Sequence, residues 1–226
     1  MAKENLKAKE ALQQEKINET VSKTDQFLNE NKKTIIGIII ALLVIGLGIL
    51  AYNQWILKPK QAEAMEQMFP AETSFQAGDY ELALNGDGNI LGFNDIIKEY
   101  GAKAGKAVYL YAGICELQNG NFEEAIKDLQ KYKGKDKILA ARALACIGDA
   151  YTGLEDYNSA ITYFQKAADK SNNVFAAAYL LKEGVTYEEL GQNDKALACY
   201  KEIKDKYPQS VEGYDIDKYI TRIEAK

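Results

Sequence analysis

From Thr34 to Leu57 the chain reads "TIIGIIIALLVIGLGILAYNQWIL", 24 residues without a charged side chain. No other feature restricts the fold as strongly. Wound as an α-helix, a run of that length extends roughly 36 Å, enough to cross a hydrocarbon core of about 30 Å with some tilt. Inside lipid every backbone amide and carbonyl must be satisfied within the segment, so a single span must be helical. Lys32 and Lys33 close one end, and Tyr52, Trp55, Lys58 and Lys60 mark the other, as interfacial rings and long amines do. The run exceeds the roughly 7–15 apolar residues of a cleaved leader, and no small-residue cleavage site follows it. The expected element is an uncleaved transmembrane anchor over residues 34–57.

Lysine placement gives an orientation. Four lysines (Lys16, Lys23, Lys32, Lys33) lie close before the run and two (Lys58, Lys60) close after it, which favours a cytoplasmic N-terminus. Beyond residue 60 the chain carries 19 basic and 27 acidic side chains, a net −8, and a folded domain can be translocated regardless of its charge. The expected topology is therefore single-pass, with the N-terminal tail inside and the C-terminal domain on the far side of the membrane. Gly37 and Ala41 form a small-xxx-small pair, a weak signal for helix pairing in the membrane. Residues 1–33 form a polar cytoplasmic tail, partly helical. Ile17, Val21 and Leu28 share one helical face, so a helix is expected near Asn18 to Asn31.

Much chemistry is excluded by what is missing. Histidine is absent, which removes Ser-His and Cys-His nucleophile pairs and the commonest metal ligand. The three cysteines, Cys115, Cys146 and Cys199, form no CxxC pair and lie among apolar or small residues, as buried free thiols do. With only two arginines and a net charge of −5, no basic stripe interleaved with aromatics signals nucleic-acid binding. The stretch "NGDGNILGF", Asn85 to Phe93, invites comparison with a calcium loop. Counting from Asn85, Asp87 and Asn89 fall on ligand positions, but Ile90 and Ile96 stand where the turn glycine and closing glutamate belong. No catalytic residue, no metal site and no cofactor is expected, and the chain does not read as an enzyme.

Periodicity organises the second half. "LACIGDAYTGLEDYNSAITYFQKA" aligns without a gap with "LLKEGVTYEELGQNDKALACYKEI" at an offset of 36, and "YLYAGICELQNGNFEEAIKDLQKY" precedes them at an offset of 35. Gly113, Gly148 and Gly184 share a slot, as do Ala125, Ala160 and Ala196. Tyr151 matches Tyr187, and Phe164 matches Tyr200, with Leu129 in the same slot of the first unit. Each unit reads as two helices with a turn between them. The small slots allow the paired helices to approach, and the aromatic slot is expected to fill the gap toward the next unit. Pro208 stops the last repeat, and "SVEGYDIDKYITRIEAK" supplies a closing helix.

At these residues the chain resembles the tetratricopeptide repeat family. The resemblance implies an all-α fold: a single N-terminal transmembrane helix followed by a short α-solenoid of helix-turn-helix repeats. Its divisions would be a degenerate capping repeat with an irregular insert over 61–105, three repeats over 106–208 and a C-terminal capping helix over 209–226. Tyr109, Leu144 and Leu180 stand in the family's first-helix tryptophan slot. In that family partner proteins are held on the concave face, and the matching positions are Leu110, Ile114 and Leu117 in the first repeat. Arg142, Asp149 and Thr152 match in the second, and Leu181, Val185 and Glu188 in the third. The family's carboxylate clamp would need polar side chains where Leu110, Ile114, Cys146 and Ala178 stand, and Lys182 alone suits it. The apolar slots suit a groove for an apolar partner segment, or cover by the chain's own helices.

The whole layout is similar to the YfgM-like ancillary subunits of the SecYEG translocon in Gram-negative inner membranes, in the "NENKK" approach, the "YNQWILKPK" exit and the degenerate first repeat. That resemblance implies a location in the inner (cytoplasmic) membrane with the repeat domain periplasmic, and the role of a protein-binding adaptor of the Sec translocon. Its partners would be the translocon and a membrane-anchored periplasmic chaperone, with newly translocated proteins as clients. A scaffold for cell-envelope assembly or cell division shares the same layout.

Overall fold

The computed structural model describes residue 27, residues 30–171 and residues 173–225. The chain divides into two compact units, Met1–Lys58 and Pro59–Lys226. In the first, helix α1 spans Lys32–Tyr52 and continues as one π-helical turn, Asn53–Leu57. Neither segment has a buried side chain, and α1 is long and apolar enough to cross a membrane. The widened turn has a local cause. Pro59 lacks an amide hydrogen and its ring crowds the carbonyl one turn back, at Trp55. The amide of Lys58 accordingly bonds five residues back, to the Asn53 carbonyl. Most of the helix expected near Asn18 to Asn31 lies outside the described residues.

The second unit is a succession of short helices, and all regular structure among the described residues is helical. Helix α2 covers Lys58–Gln76, α3 Tyr80–Asn85 and α4 Phe93–Tyr100, followed by a 3-10 turn at Gly101–Ala104. Three helical hairpins follow: α5 (Ala107–Gln118) with α6 (Phe122–Lys131), α7 (Lys137–Gly153) with α8 (Tyr157–Ser171), and α9 (Ala176–Glu189) with α10 (Asn193–Lys206). Helix α11, Val211–Glu224, ends the unit. From α5 onward each helix packs on the next, and α5 touches α7 as α9 touches α11. This is the nearest-neighbour stacking of a solenoid.

Local chemistry sets the boundaries. Asp79, Asp136, Asp156 and Ser210 each accept a backbone amide three residues on, at Leu82, Leu139, Ser159 and Gly213. The turn inside each hairpin requires a left-handed residue. Gly78, Gly120 and Gly191 supply it, and Glu155 adopts it in the second hairpin at φ 59°.

The glycine slot explains the core. A Cβ on Gly148 would lie 2.5 Å from the Phe164 ring, and one on Gly184 would lie 2.4 Å from the Tyr200 ring. On Gly113 it would lie 2.6 Å from Cγ of Leu129. The aromatic slot thus seats first on the glycine of its own repeat. Its far side also reaches onward, because Phe164 packs with Tyr179 and Tyr200 packs with Ile216, Ile220 and Ile223 of α11.

The first helices of all hairpins run in one direction. Near its start α2 meets the end of α4, where the Tyr100 hydroxyl donates to Glu63 at 3.3 Å. Past its far end, Glu81 accepts from the Asn119 amide at 3.1 Å, in the turn of the next hairpin. The starts of α2, α5, α7, α9 and α11 therefore share one edge of the unit, and the hairpin turns share the opposite edge.

Residues 86–92 separate α3 from α4. Gly86 and Gly92 face each other backbone to backbone: a Cβ on Gly92 would lie 2.3 Å from the Leu84 carbonyl oxygen, and one on Gly86 2.3 Å from that of Ile90. Oδ1 of Asp87 accepts the amides of Asn89 and Ile90 at 2.8 and 3.0 Å. These bonds hold its carboxyl below the usual range, the Ile90 amide foremost. The carboxylate is spent on closing its own loop.

Candidate functional site

A groove of about 290 Å³ opens on the first helices of the three repeats. Ile114, Leu117, Ala145 and Tyr179 give it apolar walls, and Cys146 lies among them. Arg142, Asp149, Lys182 and Gln118 supply its polar groups. Lys182 reaches back across one repeat to donate to both oxygens of Asp149, at 2.6 and 2.7 Å. It also lies 5.8 Å from the centre of the Phe164 ring. The pair straddles the joint between the second and third repeats and fixes their relative register at the groove. Half-exposed on both sides, it adds little to stability. Its effect is chemical: the one side chain suited to a carboxylate clamp is already neutralised.

Four of the sequence-derived contact residues, Ile114, Leu117, Arg142 and Asp149, meet around this groove. The other five go elsewhere. Leu110 is buried in the core between the first two repeats. The Thr152 hydroxyl donates to the Gly148 carbonyl of its own helix at 3.0 Å. Leu181 packs against the core of the third repeat, and Val185 is exposed outside the groove. Glu188 accepts the Tyr200 hydroxyl at 2.7 Å and is gripped by Arg222 of α11, so the capping helix occupies that end of the concave face. Lys182, which alone suits a carboxylate clamp, does face the groove, and Tyr179 joins it there although no repeat slot marked that residue.

Cys115 and Cys199 are buried thiols, whereas Cys146 is only half-buried, because its slot opens on the groove. Burial pushes its thiol up to about 11, with Asp149 adding to the shift, so it stays protonated and poorly nucleophilic at neutral pH.

A second cavity, about 330 Å³, lies between α8, α9 and α10 and contains an anomaly. Glu183 is buried in it, although the repeat alignment places Ile147 and Ala112 in its slot. Burial, reinforced by Glu202 and Asp169, pushes its carboxyl up to about 7. Its carboxyl is hydrogen-bonded to the Cys199 thiol, which burial pushes up to about 12, so the sulfur stays protonated and poorly nucleophilic at neutral pH. Among the described residues no cluster of three or more acids or cysteines could hold a metal ion.

The architecture defines a class: a solenoid of helical hairpins with small residues at each crossing and an open concave face. Models of the tetratricopeptide repeat match residues 107–136 and 178–210, and a further model of that repeat matches residues 141–169. The three hairpins are tetratricopeptide repeats, a fold that serves as a scaffold for binding other proteins. Two crystal structures of MamA are similar to it in fold. One has a TM-score of 0.55 at 20% identity, covering 74% of this chain and 83% of that one. The other has a TM-score of 0.51 at 21% identity, covering 69% and 92%. No curated protein matches the chain.

Proposed function

We propose that this chain is a single-pass, membrane-anchored adaptor that holds a partner protein in the groove between Ile114 and Lys182. The observation that carries this reading is the groove itself, an apolar floor spanning three repeats with Arg142 at its rim and the Lys182–Asp149 pair across its joint. It suits a partner helix or extended segment that presents one or two apolar side chains next to an acceptor for Arg142. The finer reading follows from the sequence layout. The N-terminus is cytoplasmic, the repeats are periplasmic, and the adaptor is an ancillary subunit of the Sec translocon acting with a membrane-anchored periplasmic chaperone.

Photo-crosslinking from the anchor and the groove, followed by purification in mild detergent and mass spectrometry, tests it. Contacts to the translocon channel and a chaperone support the finer reading. Contacts confined to envelope-assembly or division machinery overturn it and leave the adaptor. Arg142→Glu is expected to weaken capture of the crosslinked partner about tenfold, the loss produced by a misplaced charge at an interface. Unchanged capture would move the binding site off this face. A reporter fused to the C-terminus decides the side of the membrane.

A further inference from the structure

The edge of the repeat unit that carries the starts of the first helices has a surface that capping and packing do not explain. Ile138 and Leu139, at the start of α7, are 46% and 40% exposed; Val174 and Phe175, at the start of α9, are 50% and 51% exposed. These pairs occupy the same slots of successive repeats, 36 residues apart. One further step of 36 residues leads from Phe175 to Val211, which is 83% exposed at the start of α11. The apolar tips therefore form a row along one edge rather than scattered surface residues.

The charge on this edge runs against the rest of the unit. Lys133 and Lys135 stand in the loop that leads into α7 and Lys137 is its first residue, while Lys103 lies in the 3-10 turn before α5 and Lys106 directly precedes that helix. The two loops touch, because the Lys106 ammonium donates to the Lys133 carbonyl at 2.8 Å. A helix start carries partial positive charge and favours acids, so cations gathered there are disfavoured by their own helices. The acid among them, Asp136, is engaged in capping α7 through the Leu139 amide. Beyond residue 60 the chain is net acidic, yet residues 101–106 and 132–137 carry five lysines and one aspartate. The polypeptide also enters the unit on this edge, at Pro59, two residues after the uncharged run ends.

We propose that this edge rests on an anionic phospholipid bilayer, with the lysines at the headgroups and the apolar tips in the interface. Two independent features, a basic patch and a row of uncovered apolar side chains, combine as they do in peripheral membrane surfaces. Lysines near an anionic surface are attracted to it, and the attraction falls off within a Debye length. The bilayer would then hold the concave groove in a fixed attitude. The proposal rests on the anchor reading of residues 34–57 but not on the identity of the partner.

The test uses the full chain in which Trp55→Phe removes the single tryptophan and Phe175→Trp places an indole on the edge. The chain is reconstituted into phosphatidylcholine vesicles with brominated acyl chains, with or without about 30% phosphatidylglycerol, a composition chosen to give an anionic surface. The expected result is emission from position 175 quenched about twofold in the anionic vesicles, and largely restored by high salt or by Lys133→Glu/Lys135→Glu/Lys137→Glu. Hydrogen exchange on the unsubstituted chain should slow over residues 131–139 and 173–176 in the same vesicles, which keeps the test independent of the indole. Emission and exchange indifferent to anionic lipid overturn the proposal, and so does protection that arises only when a partner protein is added. A chain that fails to float with vesicles at all overturns the anchor instead, and flotation separates the two failures.

Discussion

At the scale of single residues, the two positions that break the repeat pattern yield the sharpest expectations. Glu183 stands in an apolar slot, and burial lifts its carboxyl from 4.5 to about 7. The folded state then holds a proton that the unfolded chain releases. Stability from this group is complete below about pH 4.5, falls as pH rises through the window and is lost above about pH 7. The shift corresponds to roughly 3 kcal/mol of penalty at alkaline pH. Glu183→Gln should melt with the wild type near pH 4 and above it at pH 8, and parallel curves across that range would exonerate the carboxyl. Glu155 is the second break. It occupies the left-handed turn slot that Gly78, Gly120 and Gly191 fill elsewhere. Glu155→Gly should stabilise the second hairpin by about 0.5–1 kcal/mol, read as a shift in the denaturant midpoint with unchanged slope. The repeat alignment contained both breaks, because an offset of 36 sets Glu183 against Ile147 and Glu155 against Gly191. Burial and a positive φ had to be seen before either anomaly acquired a cost.

At the scale of elements, the short loop between α3 and α4 separates steric from conformational roles for glycine. Gly92 has an ordinary extended backbone, with φ −81°, but a Cβ there would lie 2.3 Å from the Leu84 carbonyl oxygen. Backbone cannot yield as a side chain can. Gly88 is the reverse case, with φ 88° and no atom within 4 Å of a Cβ. Gly92→Ala should therefore displace α3 from α4 and cost several kcal/mol, whereas Gly88→Ala should cost about 1 kcal/mol. Hydrogen exchange in α3 and α4 reads the difference, and equal effects would refute the close-approach account. Both glycines were visible in "NGDGNILGF"; which one is crowded was not, since the crowding comes from a chain reversal that no periodicity encodes. The hairpins were more legible because their constraint is local. A glycine and an aromatic at fixed separation meet within one helix pair, and repetition shows the spacing three times. The groove was legible by half. Ile114, Leu117, Arg142 and Asp149 converge as their slots imply, but the third repeat turns Tyr179 and Lys182 inward while the capping helix takes Glu188.

At the scale of the molecule, each repeat of a solenoid presents an apolar side that its next neighbour covers. Ile216, Ile220 and Ile223 of α11 cover it here, against Tyr200 and Ile203 of α10. Burying three such side chains contributes about 5–9 kcal/mol, which is comparable with the net stability of about 5–15 kcal/mol for a whole domain. Removal of residues 209–226 should accordingly unravel the third repeat. Because contacts pass only between neighbours, the loss should fade with distance: exchange should accelerate most in α9 and α10, less in α7 and α8, and least in α2 to α4. Uniform acceleration would mean that the unit melts as one body and that α11 acts as more than a cap. Val211→Ser/Tyr214→Ser provides the contrast on the same helix. Both side chains face away from α10 and are more than three-quarters exposed, so stability should change by no more than about 0.5 kcal/mol. Loss of vesicle protection at residues 173–176 without loss of stability would then separate what α11 does for the fold from what its outer tip does at a surface.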